Sequence, residues 1–371
     1  MEMINNKQTK VLALTGGGTM GHISPNLALL PELKKRFSKI IYIGSKGSME
    51  EKKAQENGIP FFAVPVVKFN RKNLLSNLKI PFTLRGAKKQ VVEILKQEKV
   101  DIVFAKGGFV SVPVMLGAKK AKIPYILHES DMTLGLANRL GAHNAKQIFV
   151  ATEKAKENLP QKYKAKTIVT GIPVRDEFSK KTTTIDSQKL RTNTNKKILL
   201  VTGGSQGAKT INDLIRNNLD SLTKSYHIIH ITGKGNTNPK LVQKDYEQIE
   251  FTNNMPSLMH QADVMISRGG ATTIFEGIKA HVPMLIIPLK KSKSSRGDQV
   301  ENAKYFHSQN ILEFIEEENL NISSLLKKLQ FIDKNSQKFI RNMHSSPVFS
   351  LSNAKIAEII INATTKNQKT K

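Results

Sequence analysis

The sequence predicts an α/β protein of two doubly wound domains, each built on a mainly parallel sheet, facing each other across a cleft. Three observations carry this. A strand-like run ending in a glycine cluster opens each half, KVLALTGGGTMGH at 10–22 and KKILLVTGGSQGA at 196–208, and Thr-Gly-Gly recurs at an offset of 187 residues. A second pair, VDIVFAKGGFVSVP at 100–113 and ADVMISRGGATTIFE at 262–276, repeats at an offset of 162. Apolar runs of four to six residues that end in glycine and lead into helix-like stretches are the pattern of βα units. At ~150 residues per domain, a chain of 371 residues has room for two or three such units.

Along the chain, further buried strands are expected at IIYIG (40–44), IPYILH (123–128), QIFVA (147–151), TIVTG (167–171), HIIHITG (227–233) and VPMLIIP (282–288). GIPVRDEF (171–178) leads into KKTTTIDSQKLRTNTNKK (180–197), whose polar composition reads as a connection. SLSNAKIAEIIINA (350–363) has the apolar spacing of a final helix, and ATTKNQKTK (363–371) reads as a polar, basic tail. Ligands of such sheets bind beyond the carboxyl ends of the strands, so the glycine turns and the cleft mark the expected site.

Composition narrows the function classes. The chain carries 58 Lys and Arg against 30 Asp and Glu, a formal charge of +28, of which +21 falls on residues 1–200 and +7 on the rest. That skew points to an anionic target for the first half. Nucleic acid is set aside: aromatics make up 6%, there is no Trp, and no helix-turn-helix, RRM or zinc-finger spacing appears. With no cysteine, a disulfide scaffold, a thiolate metal site and a thiol nucleophile are excluded. MEMINNKQTK lacks the apolar core of a signal peptide, and no run approaches the ~18 apolar residues of a spanning helix. A soluble or peripheral protein is expected.

The first glycine loop spells Gly16-x-Gly18-x-x-Gly21, the spacing of a dinucleotide fingerprint. An NAD site also requires an acidic side chain after the next strand. Ser45 and Lys46 stand there, with no carboxylate before Glu50, so an NADP-binding oxidoreductase is one reading. The repeat GGSQGA lacks the third glycine, and neither loop has the GKS or GKT of a P-loop. What the loops share is the means to hold a phosphate: backbone N–H groups that glycine leaves accessible, and a helix N-terminus behind them. Ser205 adds a hydroxyl donor.

GGGTMGHISP (16–25), GGFVSVP (107–113), HESDMTLGLANRL (128–140), TGIPVR (170–175), GGSQGA (203–208), SRGGATTIFE (267–276) and GDQVENA (297–303) occur in this order. Together they closely resemble the MurG family of bacterial glycosyltransferases, from about Lys10 to about Ala363. The resemblance implies a GT-B fold. The expected domains are 1–175 plus 350–371, facing acceptor and membrane, and 176–349, binding UDP-N-acetylglucosamine. It implies an inverting transfer of N-acetylglucosamine to the 4-hydroxyl of undecaprenyl-diphospho-MurNAc-pentapeptide, with no cofactor, at the cytoplasmic face of the cell membrane. The expected partners are UDP-GlcNAc, that lipid, an anionic membrane surface and other cell-wall synthesis proteins. Another GT-B glycolipid glycosyltransferase, such as one glucosylating diacylglycerol, is the second reading; it would share the C-terminal site without HESD…GLAN.

Site residues follow by motif. Glu276 matches a ribose-diol acceptor, and Ala271, Thr272, Thr273, Ile274 and Phe275 precede it in the same motif. Gly204 and Ser205 match the diphosphate loop, and Arg175 a cation near the donor whose permanent charge offsets that of departing UDP. Thr252 matches a backbone reader of uracil, Asp298 and Gln299 the pair on the sugar hydroxyls, and Thr19, Met20 and Gly21 the first-loop segment. His22 fits a general base for the acceptor hydroxyl, although a single His after a glycine turn is more often a helix-cap or packing residue. Glu129 and Asp131 are the competing carboxylates; the family commonly has Asn where Asp131 stands, and Asp131 fits either assistance in deprotonation or acceptance of a hydroxyl from the donor sugar. No Asp-x-Asp occurs and the histidines do not group with carboxylates, so no metal ligands are assigned. Residues 68–89 set Leu74, Leu75, Leu78, Ile80 and Phe82 among lysines and arginines with no acid, the composition of a membrane-docking patch.

Overall fold

The computed structural model describes residues 8–66, 80–179, 195–292, 295–349 and 351–365. The chain divides into two compact units, one of Met1–Val174 with Val348–Lys371 and one of Arg175–Pro347. Leu74, Leu75 and Leu78 lie outside the described residues, as does most of the polar connection at 180–197.

The first unit holds seven strands, β1 (Gln8–Thr15), β2 (Phe37–Gly44), β3 (Phe61–Ala63), β4 (Ile102–Ala105), β5 (Tyr125–Glu129), β6 (Gln147–Val150) and β7 (Thr167–Val169). They pair in the order 3-2-1-4-5-6-7, every neighbour parallel. A parallel sheet needs helices on both faces, which is why its strands are apolar on both sides. Leu12 and Leu14 of β1 enter one core cluster with Tyr42, Phe104 and Ile126, while Ala13 between them enters the other with Val103 and Leu127.

The final helix, Asn353–Asn362, belongs to this unit. Ser352 caps it by accepting the Lys355 N–H at 3.2 Å. Its Ile356, Ala357, Ile360 and Ile361 enter the Leu12–Leu14 cluster, and it packs on the first helix, Met20–Arg36. Asn353 fastens it further, donating to the carbonyls of Ala28 at 3.3 Å and Val174 at 2.9 Å.

The second unit holds β8 (Lys197–Thr202), β9 (Tyr226–Ile231), β10 (Tyr246–Ile249), β11 (Val264–Ser267), β12 (Met284–Ile286) and β13 (Glu313–Phe314). Their order is 10-9-8-11-12-13, again all parallel. The aspartate shared by the second repeat does the same work in both units. Asp101 accepts the Val11 N–H and Asp263 the Ile198 N–H, each at 2.8 Å, bracing the first strand against its inner neighbour.

In both sheets the strand order reverses between the first strand and that neighbour, β1 and β4 in one unit, β8 and β11 in the other. The two sequence repeats are therefore the two sides of each switch point, where open α/β sheets hold ligands.

Candidate functional site

In the second unit, β8 ends in the loop Gly203–Ala208. Gly204 takes φ +83° and Gly207 φ +72°, values an L side chain rarely adopts. The loop closes on itself through the Gly207 N–H to the Gly204 carbonyl at 2.9 Å, and Thr202 Oγ1 accepts the Gly204 N–H at 3.2 Å. No atom lies within 4 Å of where a Gly204 Cβ would stand, so the outer side of the turn is clear, with Ser205 beside it. Across the switch point, β11 gives way at Gly269 and Gly270 to the helix Ala271–Ala280. Its first N–H groups lack intrahelical acceptors and its dipole favours an anion there. Thr272 and Thr273 are half-buried, whereas Ile274 and Phe275 are fully buried core residues that offer a ligand only backbone.

Glu276 lies one turn further along. Burial pushes its carboxyl up to about 7, and the Arg175 guanidinium opposes that shift. Arg175 opens the second unit, stands 5.2 Å over the Phe178 ring, and precedes a short turn that packs against the Glu276 helix. Gln299 Oε1 accepts the N–H groups of Gly269 at 3.2 Å and Leu289 at 2.9 Å, which ties the helix Asp298–Ser308 to the β11 turn. Asp298 pairs with Arg296 at 2.8 Å. Thr252 spends its hydroxyl on the Asn254 N–H at 2.9 Å, so the side chain shapes the turn. This unit thus gathers Arg175, Gly204, Ser205, Thr252, Ala271–Glu276, Asp298 and Gln299.

The first unit's glycine loop differs. Glu50 is 1% exposed and folds beneath it, accepting the N–H groups of Gly18 and Ser45, each at 3.4 Å. A methyl group on Gly17 would stand 2.4 Å from Glu50 Cδ, and one on Gly18 would stand 2.7 Å from the Phe109 ring. A dinucleotide pyrophosphate would meet a buried carboxylate here, so the fingerprint spacing does not make a dinucleotide site. Gly18 and Gly204 are both exposed, but the Gly18 N–H is already taken by a carboxylate, whereas Gly204 has nothing within 4 Å of its Cβ position.

Thr19, Met20, Gly21 and His22 start the first helix after this loop, and the Thr19 side chain makes no cap. His22 Nδ1 stands 3.2 Å from the Lys106 carbonyl. A carbonyl only accepts, so Nδ1 carries the proton and Nε2 is the basic nitrogen. Glu129, 4% exposed, ends β5 with both oxygens engaged: Oε1 accepts from Ser130 and Asp131 N–H at 2.9 and 3.1 Å, Oε2 from Gly135 N–H at 2.8 Å and Asn138 Nδ2 at 2.9 Å. Its charge organises the turn, and the half-buried Asp131 is presented by that turn.

Two residues of this group were not singled out as site residues by motif. Glu50 has no local signal, since it returns to the loop from the next βα unit. Lys106 had one: it precedes Gly107-Gly108 as Arg268 precedes Gly269-Gly270. Lys106 is 1% exposed, and its Nζ donates to Ser130 Oγ at 2.5 Å.

The HIIH pair is structural. His227 faces Glu247 at 3.0 Å, and His230, held by burial down at about 3, bridges Tyr246 and Asn212. Among the described residues no three His, Asp or Glu side chains converge as a metal site would. Of the docking residues, Ile80 is half-buried and Phe82 is 80% exposed, both on the helix Ile80–Gln97. The helix Leu136–Ala142 adds Leu136 and Leu140, 54% and 58% exposed, with Arg139 between them; both helices pack on Ser111–Ala121. No described helix is long and apolar enough to cross a membrane.

Residues 12–150 match the glycosyltransferase family 28 N-terminal domain and residues 198–360 the glycosyltransferase family 28 C-terminal domain. The UDP-N-acetylglucosamine–N-acetylmuramyl-(pentapeptide) pyrophosphoryl-undecaprenol N-acetylglucosamine transferase of Clostridium botulinum (strain Alaska E43 / Type E3) is 42% identical over 334 residues, 90% of this chain and 92% of that protein. The enzyme of the same name from Staphylococcus carnosus (strain TM300) is 39% identical over 336 residues, 90% of this chain and 92% of its own. The crystal structure of Acinetobacter baumannii MurG superimposes with a TM-score of 0.68 over 95% of this chain and 99% of that one, at 22% identity.

Proposed function

The chain belongs to the MurG family within glycosyltransferase family 28, and from that premise we propose that it moves N-acetylglucosamine from UDP-GlcNAc to the 4-hydroxyl of undecaprenyl-diphospho-MurNAc-pentapeptide, making lipid II from lipid I for peptidoglycan synthesis. The observation that carries this reading is the contrast between the two glycine loops. The second loop is clear at Gly204 and shares its switch point with the Ala271–Ala280 helix start, while in the first loop the Gly18 N–H already meets the buried carboxylate of Glu50.

The donor is assigned to the second unit. The diphosphate meets Ser205, the loop N–H groups and the helix N-terminus, with Arg175 offsetting the charge of departing UDP. Glu276 takes the ribose diol, the Thr252 backbone the uracil, and Asp298 and Gln299 the sugar hydroxyls. The acceptor is assigned to the first unit. His22 Nε2 takes the proton as the acceptor oxygen bonds to the anomeric carbon and the carbon–oxygen bond to UDP breaks, inverting that carbon. Asp131 assists deprotonation or accepts a hydroxyl of the donor sugar, and Glu129 holds the turn that carries it.

The apolar residues Phe82, Leu136 and Leu140, among Arg85, Lys88, Lys89 and Arg139, suit docking on an anionic lipid surface, which supports a peripheral place on the cytoplasmic face of the membrane. Work there ties the enzyme to cell-wall growth, and through it to cell shape and division, beside other proteins of that synthesis.

The test is direct. The purified protein, given UDP-GlcNAc and a short-chain lipid I analogue, should yield the β-1,4-linked disaccharide product by mass spectrometry and NMR. UDP-glucose should serve poorly, and NADP should produce no thermal shift. Absence of disaccharide with a folded, UDP-binding protein would sink the assignment.

A further inference from the structure

Lys106 and Arg268 hold matching places in the internal repeat, five residues after Asp101 and Asp263 and one before a Gly-Gly pair. Their surroundings diverge. Arg268 is tied off by Glu317, Nη1 to Oε1 at 2.7 Å, and donates to the Ile287 carbonyl at 3.1 Å. Lys106 ends on a neutral hydroxyl, Ser130 Oγ at 2.5 Å, at the turn between Glu129 and Asp131. Its backbone is engaged as well: its N–H donates to the Thr15 carbonyl at 2.8 Å, and its own carbonyl meets His22 Nδ1 at 3.2 Å. One residue therefore joins the first glycine loop, the 107–108 glycine pair and the HESD turn.

We propose that Lys106 is a positioning residue for the transfer, acting through Ser130 on the turn that carries Asp131 and through its carbonyl on the His22 ring. This rests on the assignment of His22 and Asp131 to the acceptor side. At 1% exposure the ammonium cannot itself meet a substrate.

A buried cation persists only against nearby negative charge. The groups that face it are Glu129 at the end of β5, Asp131 in the turn beyond and His128 within β5, while the His22 ring meets the Lys106 carbonyl. Glu129 is already saturated by four donors. His128 is fully buried with Nε2 on the Gly171 carbonyl at 2.9 Å, and burial followed by the Lys106 charge holds it neutral. Burial brings Lys106 down to about 8, with Glu129 and Asp131 pulling the other way. Below about 8 the ammonium is charged and balances the two carboxylates; above it the balance is lost. Turnover falls on the alkaline side as Lys106 loses its proton, while donor binding in the second unit does not follow that titration.

The experiment measures kcat and KM of the full chain with UDP-GlcNAc and a soluble lipid I analogue across the pH range, beside UDP affinity by calorimetry. Wild type should show an alkaline limb in kcat near 8. Lys106→Met should lower kcat about 30-fold with UDP affinity unchanged, the scale of a misplaced catalytic group. Lys106→Arg, always charged, should keep activity and move the limb above about pH 9. Ser130→Ala, which leaves the lysine in place, should lower kcat about tenfold without moving UDP affinity. Should the Met variant not fold, the Arg and Ala variants decide. A Lys106→Arg enzyme whose limb stays where the wild type has it, or a Ser130→Ala enzyme with wild-type kcat, overturns the proposal. Loss of transfer in the wild type would instead strike the functional reading itself.

Discussion

Gln299 accepts the Gly269 N–H on its amide oxygen at 3.2 Å, and a second backbone N–H, from Leu289, reaches the same oxygen at 2.9 Å. Backbone N–H groups bond only to acceptors, so the orientation of the amide is fixed: its oxygen is committed to the β11 turn and its NH2 is the part left to meet a ligand. The residue assigned to the sugar hydroxyls is therefore a donor held rigid by the turn it serves.

Gln299→Glu tests this. The carboxylate can still accept from Gly269 and Leu289, so folding should be retained, but both donors are gone. We expect KM for UDP-GlcNAc to rise about tenfold, the value of one or two hydrogen bonds, with affinity for UDP alone changed less than about twofold. Equal losses for UDP and UDP-GlcNAc would show that the residue only supports the turn.

Glu276 gives a prediction in pH. Its carboxyl is raised to about 7, so the free protein is increasingly neutral there as pH falls. A ribose diol donates to a carboxylate, so binding favours the ionised form and UDP affinity should rise with pH through about 7. Below that value it should fall by up to roughly tenfold per unit. Glu276→Gln should flatten the profile, and Glu276→Ala should cost roughly 2–4 kcal/mol of UDP affinity without unfolding the protein. Calorimetry from pH 5.5 to 8.5 checks all three.

Transfer should continue in excess EDTA. The diphosphate charge is assigned to Ser205, loop N–H groups, the Ala271 helix start and Arg175, and no carboxylate cluster is among the described residues. Complete loss of turnover on chelation, restored by magnesium, would mean that this assignment is wrong.

Membrane docking predicts a mixed salt response. Cations near an anionic surface contribute about 1 kcal/mol each and are screened by salt, whereas buried apolar side chains are not. Cosedimentation with anionic vesicles should weaken with salt yet persist, and fall on zwitterionic vesicles. Phe82→Ser with Leu136→Ser and Leu140→Ser should reduce it, along with turnover on long-chain acceptor, while a soluble acceptor is still used. Undiminished sedimentation would make these ordinary surface residues.

How far the sequence was legible depended on burial. β1, β4, β8 and β11 are buried strands that end in glycine, and each was visible as an apolar run. The strands that were not singled out, β3, β10 and β13, lie at sheet edges: β10 and β13 carry polar residues that break the apolar run, and β3, though apolar, is only three residues long. The residues proposed for the donor could be picked out as candidates because most of them fall in motifs next to the glycine turns. Glu50 could not, because it meets Gly18 across 32 residues of chain; the repeat marked the position of Lys106, but not its contact with Ser130, 24 residues on. Motif reading also gave Ile274 and Phe275 the same standing as Thr272 and Thr273, though only the packed fold shows which side chains face inward.

The helix Asn353–Asn362 has a consequence for how the protein is made. Its seat on Met20–Arg36 is built from the first residues of the chain, yet its own residues leave the ribosome only after all of Arg175–Pro347. The second unit is contiguous and can complete its core while synthesis continues, whereas the first must wait with the seat for Ile356, Ala357, Ile360 and Ile361 uncovered. The usual order of domain folding is thus inverted. During that wait, the apolar side chains that the final helix later covers are the kind of transiently exposed surface that favours misassociation.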